Sequence, residues 1–430
     1  MNKKAILVSL LCFSCFWAKA QPVSTLLKNA EREAEAGHFL AAAELWERAG
    51  RLKNADPELL HQAAEAYARA RDYARAADCY RLAATDEQFP LAALRYARAL
   101  KQQGQYEEAA QAFEQFAQQY RGGLKVVVIA VAENEMAGCE LALQFLESQD
   151  AAVSVAPLPD WVNTTENEFA PIPFSHSLLY LSLASPGRTQ FMRAFQKEEV
   201  WQKPQEALSL PVAAAAKFRS GCFSPDGSRF YYASCEESCS AERGGSVRSA
   251  PCAIFCLRRT EGGWAEPERL RAYLNLEGST AMFPHIAQAD GVEYLFFSSD
   301  RPGGFGGLDI YVCERLLESE ELDFSFPQNL GRAVNTGADE VTPFYEPDSK
   351  TLWFSSMGHP SVGGMDVFKT AKEGATWSKP QNAGLPINSP SDDYFFVLKK
   401  NGEGAFLSSN RRAGETKTTT TDDDIFEMKW

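Results

Sequence analysis

The chain has 430 residues with 43 Lys+Arg against 57 Asp+Glu, a formal charge of −14. That balance argues against nucleic acid and anionic lipid headgroups as partners, and the length allows two or more domains. The chain has five histidines and no Gly-x-Ser-x-Gly, His-Glu-x-x-His or P-loop motif, so the common hydrolase, zincin and nucleotide-binding signatures are absent.

Residues 1–20 read as an export signal. Lys3 and Lys4 precede an apolar run from Ala5 to Trp17, and Ala18-Lys19-Ala20 forms a small-residue cleavage site before Gln21. The run is too short to span a bilayer. Acylation of Cys12 or Cys15 is the competing reading. Leu11 stands just before Cys12 and Phe13 lies two before Cys15, where a lipoprotein needs small residues.

Residues 21–122 carry a helical repeat. Gly37-His38-Phe39 with Ala42, Trp46 and Ala49 aligns with Asp72-Tyr73, Ala76, Tyr80 and Ala83, and both align with Gly104-Gln105-Tyr106, Ala109 and Phe113. Ala42, Ala76 and Ala109 are 34 and 33 residues apart, the length of a tetratricopeptide helix hairpin. Small alanines let paired helices approach, aromatics fill the gap to the next pair, and Pro57 and Pro90 sit at helix starts. Three such repeats are expected. Residues 123–150 follow as a capping helix over Val126–Glu147 and a linker.

Residues 151–430 carry a second repeat. Its fullest copies are Phe283-Pro-His-Ile, Tyr294-Leu-Phe-Phe-Ser-Ser-Asp-Arg301 and Gly306-Gly-Leu-Asp-Ile-Tyr311, then Thr342-Pro-Phe-Tyr, Leu352-Trp-Phe-Ser-Ser356 and Gly363-Gly-Met-Asp-Val-Phe368. Anchors at Pro171, Pro225, Pro284, Pro343 and Phe395 are separated by 54, 59, 59 and 52 residues. Short alternating apolar runs broken by Asp-Gly and Gly-Gly turns describe propeller blades, and five anchors give five. The fold class is therefore multidomain α plus all-β: a helical-hairpin array, then a WD40-like five-bladed propeller.

Three finer expectations follow. Trp201, Trp264, Phe324 and Trp377, each three residues before a proline, pack between blades. The Asp of Asp-Ile-Tyr accepts backbone N–H groups of the loop before it, while Gly-Gly lets that loop turn tightly. The last copy ends at Trp430 without a fourth strand, so a strand near Val153–Pro159 completes the last blade and closes the ring.

Five cysteines cluster in the second blade: Cys222, Cys235, Cys239, Cys252 and Cys256. Cys235 stands where other blades have Ser-Ser-Asp-Arg and Cys252 where they have the Asp of Asp-Ile-Tyr, so a disulfide would staple the neck of an enlarged loop. Zinc binding and free thiols are the alternatives. Cys79, Cys139 and Cys313 read as core. His285 reads as a strand-end hydrogen-bonding group. Thr418–Thr421 with Asp422, Asp423 and Asp424 reads as a solvated loop, with calcium as the alternative. No cofactor and no metal are expected.

Helical tetratricopeptide repeats followed by blades reading Phe-x-Pro, Ser-Ser-Asp-Arg and Gly-Gly-x-Asp-Ile-Tyr resemble the tetratricopeptide plus WD40-like propeller envelope proteins of Bacteroidetes. In that group the modules usually precede an OmpA-like peptidoglycan-binding domain, and some members are linked with type IX secretion. The last blade here runs to Trp430 with no such domain after it. The resemblance implies an exported, periplasmic protein associated with the outer membrane. It also implies a non-enzymatic scaffold whose partners are envelope proteins, secretion components or a separate peptidoglycan-binding protein. Groove-facing candidates for partner binding are Ser24, Leu27, Glu31, His61, Glu65, Arg98 and Lys101. With no motif for chemistry and no room for a hydrolase domain, catalysis is not expected. The alternative is a glycan- or small-ligand-binding propeller using its channel, with the helices as a spacer.

Overall fold

The computed structural model describes residues 22–148, 153–185, 188–210, 218–235, 251–319, 321–400, 402–418 and 421–430. The signal segment, Cys239, Thr419 and Thr420 lie outside the described residues. Seven helices come first: α1 Val23–Glu35, α2 Phe39–Leu52, α3 Pro57–Arg69, α4 Tyr73–Ala83, α5 Ala92–Lys101, α6 Tyr106–Gln119 and α7 Lys125–Glu147. Each packs on the next. Ala42, Ala63, Ala76, Ala97 and Ala109 are fully buried, so neighbouring backbones meet closely while Tyr67, Tyr80 and Phe113 fill the spaces between hairpins. Asp56 caps α3 by accepting from the Leu59 N–H at 3.3 Å, with Pro57 in the first helical position.

Five antiparallel sheets follow. Their inner strands are Asn167–Ser175, Phe218–Phe223, Ala281–Ala289, Glu340–Glu346 and Asp393–Leu398, in blades 1 to 5. Each inner strand touches the next, and the fifth touches the first, so the ring is closed. Blade 5 takes its outer strand from Ser154–Pro157, which pairs antiparallel with Asp424–Lys429 and sets Val155 opposite Met428. This clasp removes an exposed edge. The same loop continues to Asn163, whose amide accepts from Ile425 N–H at 3.1 Å and donates to Ile425 C=O at 3.0 Å.

That asparagine clamp recurs. Asn275 binds both backbone groups of Ile254, Asn335 those of Ile310, and Asn388 those of Val367. Each clamp ties a blade's third strand to the segment entering the next blade. Arg301 and Arg411 repeat a second device. Arg301 donates to Ser299 Oγ and to the carbonyls of Tyr273 and Leu274, and Arg411 donates to Ser409 Oγ and those of Pro386 and Ile387. In blade 4 His359 substitutes, its Nε2 lying 2.8 Å from Val334 C=O.

Where strand 2 ends and strand 3 begins, Ser299 faces Asp309, Ser356 faces Asp366 and Ser409 faces Asp424. In blade 2 the facing pair is Cys235 and Cys252, joined as a disulfide. The covalent bond stands where the other blades use hydrogen bonds: Asp366 accepts from the N–H groups of Val362 and Gly363 and from the Asn382 amide, and Asp309 from Phe305 N–H. Cys222 and Cys256 are thiols, as are the buried Cys79, Cys139 and Cys313.

The aromatic marks join blades. Trp201 of blade 1 meets Phe406 of blade 5 at 6.0 Å, Phe324 of blade 3 meets Tyr231 of blade 2 at 6.2 Å, and Trp377 of blade 4 meets Phe296 of blade 3 at 6.3 Å. Trp264 rests on Phe223 of its own blade.

Two readings need correction. Pro225 lies in the turn after blade 2's inner strand, because the bulge there falls between Phe218 and Ser220, and Ser220 therefore occupies the place of Pro284. The Gly-Gly pairs serve close approach between segments rather than the tight turn expected of them, as none of Gly306, Gly307, Gly363 and Gly364 has a positive φ. A Cβ on Gly306 or Gly363 would enter the backbone of the segment leading to the next blade, at Gly337 and at Ser389–Ser391.

The helical array is docked on the propeller. Gly138 of α7 lies against Ser361, in the loop before the third strand of blade 4, and a Cβ there would overlap the Ser361 carbonyl oxygen. Val362 is buried in the same apolar cluster as Phe113, Phe116 and Cys139. Arg71, in the α3–α4 turn with φ +57°, reaches blade 5 and pairs with Asp423 and, at 3.7 Å, with Asp392. Burial opposes its charge, yet Asp423 beside it holds the guanidinium above its ordinary value.

Candidate functional site

The propeller axis is narrow. In four blades the inner strand bulges through a residue with positive φ: Ala170, Phe283, Thr342 and Phe395, at φ of 52°, 55°, 50° and 53°. Phe395 meets Phe169 at 6.0 Å and Phe283 at 5.4 Å, so phenyl rings converge on the axis. The cavity left is about 70 Å³, lined by Ile172, Cys222, Phe283, His285, Phe344 and Phe396 among others, with no carboxylate among the described residues. His285 Nε2 lies 3.1 Å from Tyr345 C=O of the next blade, a hydrogen bond at the strand, and burial pushes its pKa down to about 4. Small-ligand sites run from about 300 Å³ upward, so the channel is filled core rather than a pocket.

The groove candidates are divided. Ser24 and Glu31 are exposed on α1, and Leu27 packs beside Leu26 and Leu59. His61 stacks on Phe89 at 4.3 Å, and Glu65 accepts from Tyr80 Oη and pairs with Arg95. Arg98 and Lys101 are engaged within the chain. Both pair with Glu135 of α7, and Lys101, 2 % exposed, also donates to Ser361 Oγ at 3.1 Å. Burial pushes the Glu135 carboxyl up, but Lys101 and Arg98 outweigh it and hold it below the usual range. In the Thr418–Asp424 loop, Lys417 Nζ lies 2.7 Å from Asp424. Among the described residues no cluster of three or more His, Cys, Asp or Glu is placed to hold a metal ion.

A roomier cavity lies at the seam. The α3–α4 and α5–α6 turns face the segment entering blade 5 and the end of its second strand, leaving a cleft of about 300 Å³. Tyr73, Ala74, Gln102, Gln103 and Gln105 form the helical wall, and Ser389, Pro390, Ser391, Arg411 and Arg412 the propeller wall. Some of these groups are committed to structure. Gln103 donates to Tyr73 C=O and Ala99 C=O, Ser389 Oγ donates to Asp393, and Arg411 pairs with Asp393. Gln105 and Arg412 are exposed, and their side chains have no partner among the described residues. Gly104, at φ +78°, brings the α5–α6 turn against Pro390 and sets the width of the cleft. The sequence reading nominated none of these residues. The one local sign was the run Gln102-Gln103-Gly104-Gln105, in a turn where the repeat predicts only a helix break.

No known protein family matches the sequence, and no curated protein matches it. Solved structures do. A thermostable family-43 glycoside hydrolase matches at 14 % identity over 64 % of this chain and 91 % of its own, with a TM-score of 0.40. An α-L-arabinofuranosidase from Lactobacillus brevis matches at 14 % identity over 63 % and 94 %, TM-score 0.37. Bacillus subtilis levansucrase matches at 10 % identity over 66 % and 89 %, TM-score 0.41. At these values the likeness is one of fold and transfers no residue role. It nonetheless corrects two expectations, the non-enzymatic scaffold and the exclusion of catalysis. The first leaned on the family resemblance, and the second on missing motifs and the absence of an appended hydrolase domain. The matched chains are named as enzymes, against both expectations.

Proposed function

We propose that the chain binds a short glycan, or a comparable polyhydroxylated small ligand, in the cleft between the helical array and blade 5. The observation that carries this reading is the lining: amides, hydroxyls and a guanidinium beside the Tyr73 ring, in a space of about 300 Å³. A few convergent polar groups with an aromatic wall suit a sugar, whose hydroxyls need donors and acceptors and whose ring faces are apolar. On this reading the array is one wall of the site rather than a spacer.

The 34- and 33-residue spacing supports tetratricopeptide identity for the hairpins. The Cys235–Cys252 disulfide supports an exported protein, since such bonds persist in oxidising compartments. Among the described residues no helix is long and apolar enough to cross a membrane.

The test is calorimetric titration of the full chain with neutral and acidic trisaccharides, with turnover followed on the same samples. Ala74, exposed on α4, allows the cleft to be filled by Ala74→Trp without disturbing the core. The expected result is binding to the parent chain and loss of binding in Ala74→Trp. Binding untouched by that substitution, or no binding by any oligosaccharide, overturns the proposal.

A further inference from the structure

The charge of the cleft narrows the ligand class, and this inference rests on the reading of the cleft as a glycan site. The chain carries 57 acidic residues, yet among the described residues no Asp or Glu lines the cleft. Its charged residues are Arg411 and Arg412. Arg411 is neutralised: its guanidinium is paired with the buried Asp393 and spends its other donors on Ser409 Oγ and the carbonyls of Pro386 and Ile387. Arg412 follows it at the rim, exposed, and its guanidinium has no partner among the described residues. The other groups, at Tyr73, Gln102, Gln105 and Ser391, are neutral. The cleft is therefore a positively charged pocket on a strongly acidic protein.

We infer that the cleft selects an acidic oligosaccharide, with Arg412 taking its carboxylate or sulfate. A guanidinium presents two parallel N–H donors that match either anion bidentately, and such charge-assisted bonds are stronger than neutral ones. The surrounding amides and hydroxyls take the sugar hydroxyls. The acidic remainder of the surface repels polyanions at other sites, so binding concentrates at this one and weakens as salt rises.

The test titrates the full chain and Arg412→Gln with trigalacturonate, neutral galactotriose and a sulfated chondroitin disaccharide, at low and high salt. Arg412 is exposed, so its replacement leaves the fold intact. The expected result is at least tenfold tighter binding of an acidic probe than of galactotriose, with that advantage lost in Arg412→Gln and reduced by salt. A gain for trigalacturonate alone identifies the carboxylate as the recognised group, and a gain for the chondroitin disaccharide alone identifies the sulfate. If galactotriose binds as tightly as the acids, or Arg412→Gln changes nothing, the acidic selectivity is wrong while the cleft stands. If none of the three binds, the reading of the cleft falls and this inference falls with it.

Discussion

Gly138→Ala tests the docking of the two modules through the sign of its effect. Inside an ordinary helix the change stabilises by about 0.5–1 kcal/mol, because alanine loses less backbone freedom on folding. At Gly138 the added methyl would overlap the carbonyl oxygen of Ser361, a backbone atom that cannot rotate away. Overpacking of this kind costs about 1–3 kcal/mol. Moving the loop would also stretch the Lys101 Nζ contacts with Ser361, at 3.2 Å to its carbonyl and 3.1 Å to its hydroxyl, and a charged hydrogen bond contributes about 1.5–3 kcal/mol. The expected net loss is about 2–4 kcal/mol for the docked state. Amide hydrogen exchange reads it locally: protection at Ser361–Gly364 and along α7 should fall about 30- to 700-fold, at tenfold per 1.4 kcal/mol. Gly50→Ala in α2 is the control, since its Cβ would meet only the flexible Leu59 and Leu60 side chains at 3.2–3.3 Å. Unchanged exchange in Gly138→Ala, or a gain in stability, would refute the docking geometry.

Three further outcomes are expected. Replacing Cys235 and Cys252 by serine opens a loop of 17 residues and should cost about 3 kcal/mol in denaturant unfolding, and a loss near zero would show the staple to be redundant. Glu293 is fully buried with Arg315 at 2.6 Å and Tyr231 at 3.0 Å, so Glu293→Leu should destabilise by about 3–5 kcal/mol by stranding the arginine. Adding Arg315→Met should recover most of that, and failure to recover would place the cost in packing instead. Burial raises the Glu168 and Glu340 carboxyls to about 7 from an ordinary 4.5, so both stay protonated in the fold where the unfolded chain has ionised. Their stabilisation is full below pH 4.5, is lost as pH rises to about 7, and is level above it. The slope reaches about 1.4 kcal/mol per pH unit for each group. Glu340→Gln should remove one group's share, and an unchanged pH–stability profile would contradict the assignment.

The sequence made the repeating parts of this molecule legible because they are local or strictly periodic. Ring closure by Ser154–Pro157 followed from a missing strand at one end and a spare one at the other, and the Asp309 and Asp366 contacts from ordinary Asx-loop chemistry. The cysteine staple could be placed by aligning one blade with its neighbours. What was not legible crosses between modules. Arg71 meets Asp423 across 352 positions and Lys101 meets Ser361 across 260, and no period or motif links such residues. The α3–α4 and α5–α6 turns looked like plain helix breaks, though they build a wall of the cleft. Pro225 misled because a turn proline and a bulge proline follow aromatic residues alike. The expectation of no catalysis rested on missing short motifs, and a cleft assembled from residues of two modules carries no short motif to read.

The most direct test of the central claim is a crystal structure of the full chain grown with an acidic trisaccharide. The account predicts sugar density between Tyr73, Gln105 and Arg412, with the acidic group on the guanidinium of Arg412. Density seated elsewhere on the molecule, or an empty cleft at saturating ligand, would contradict it.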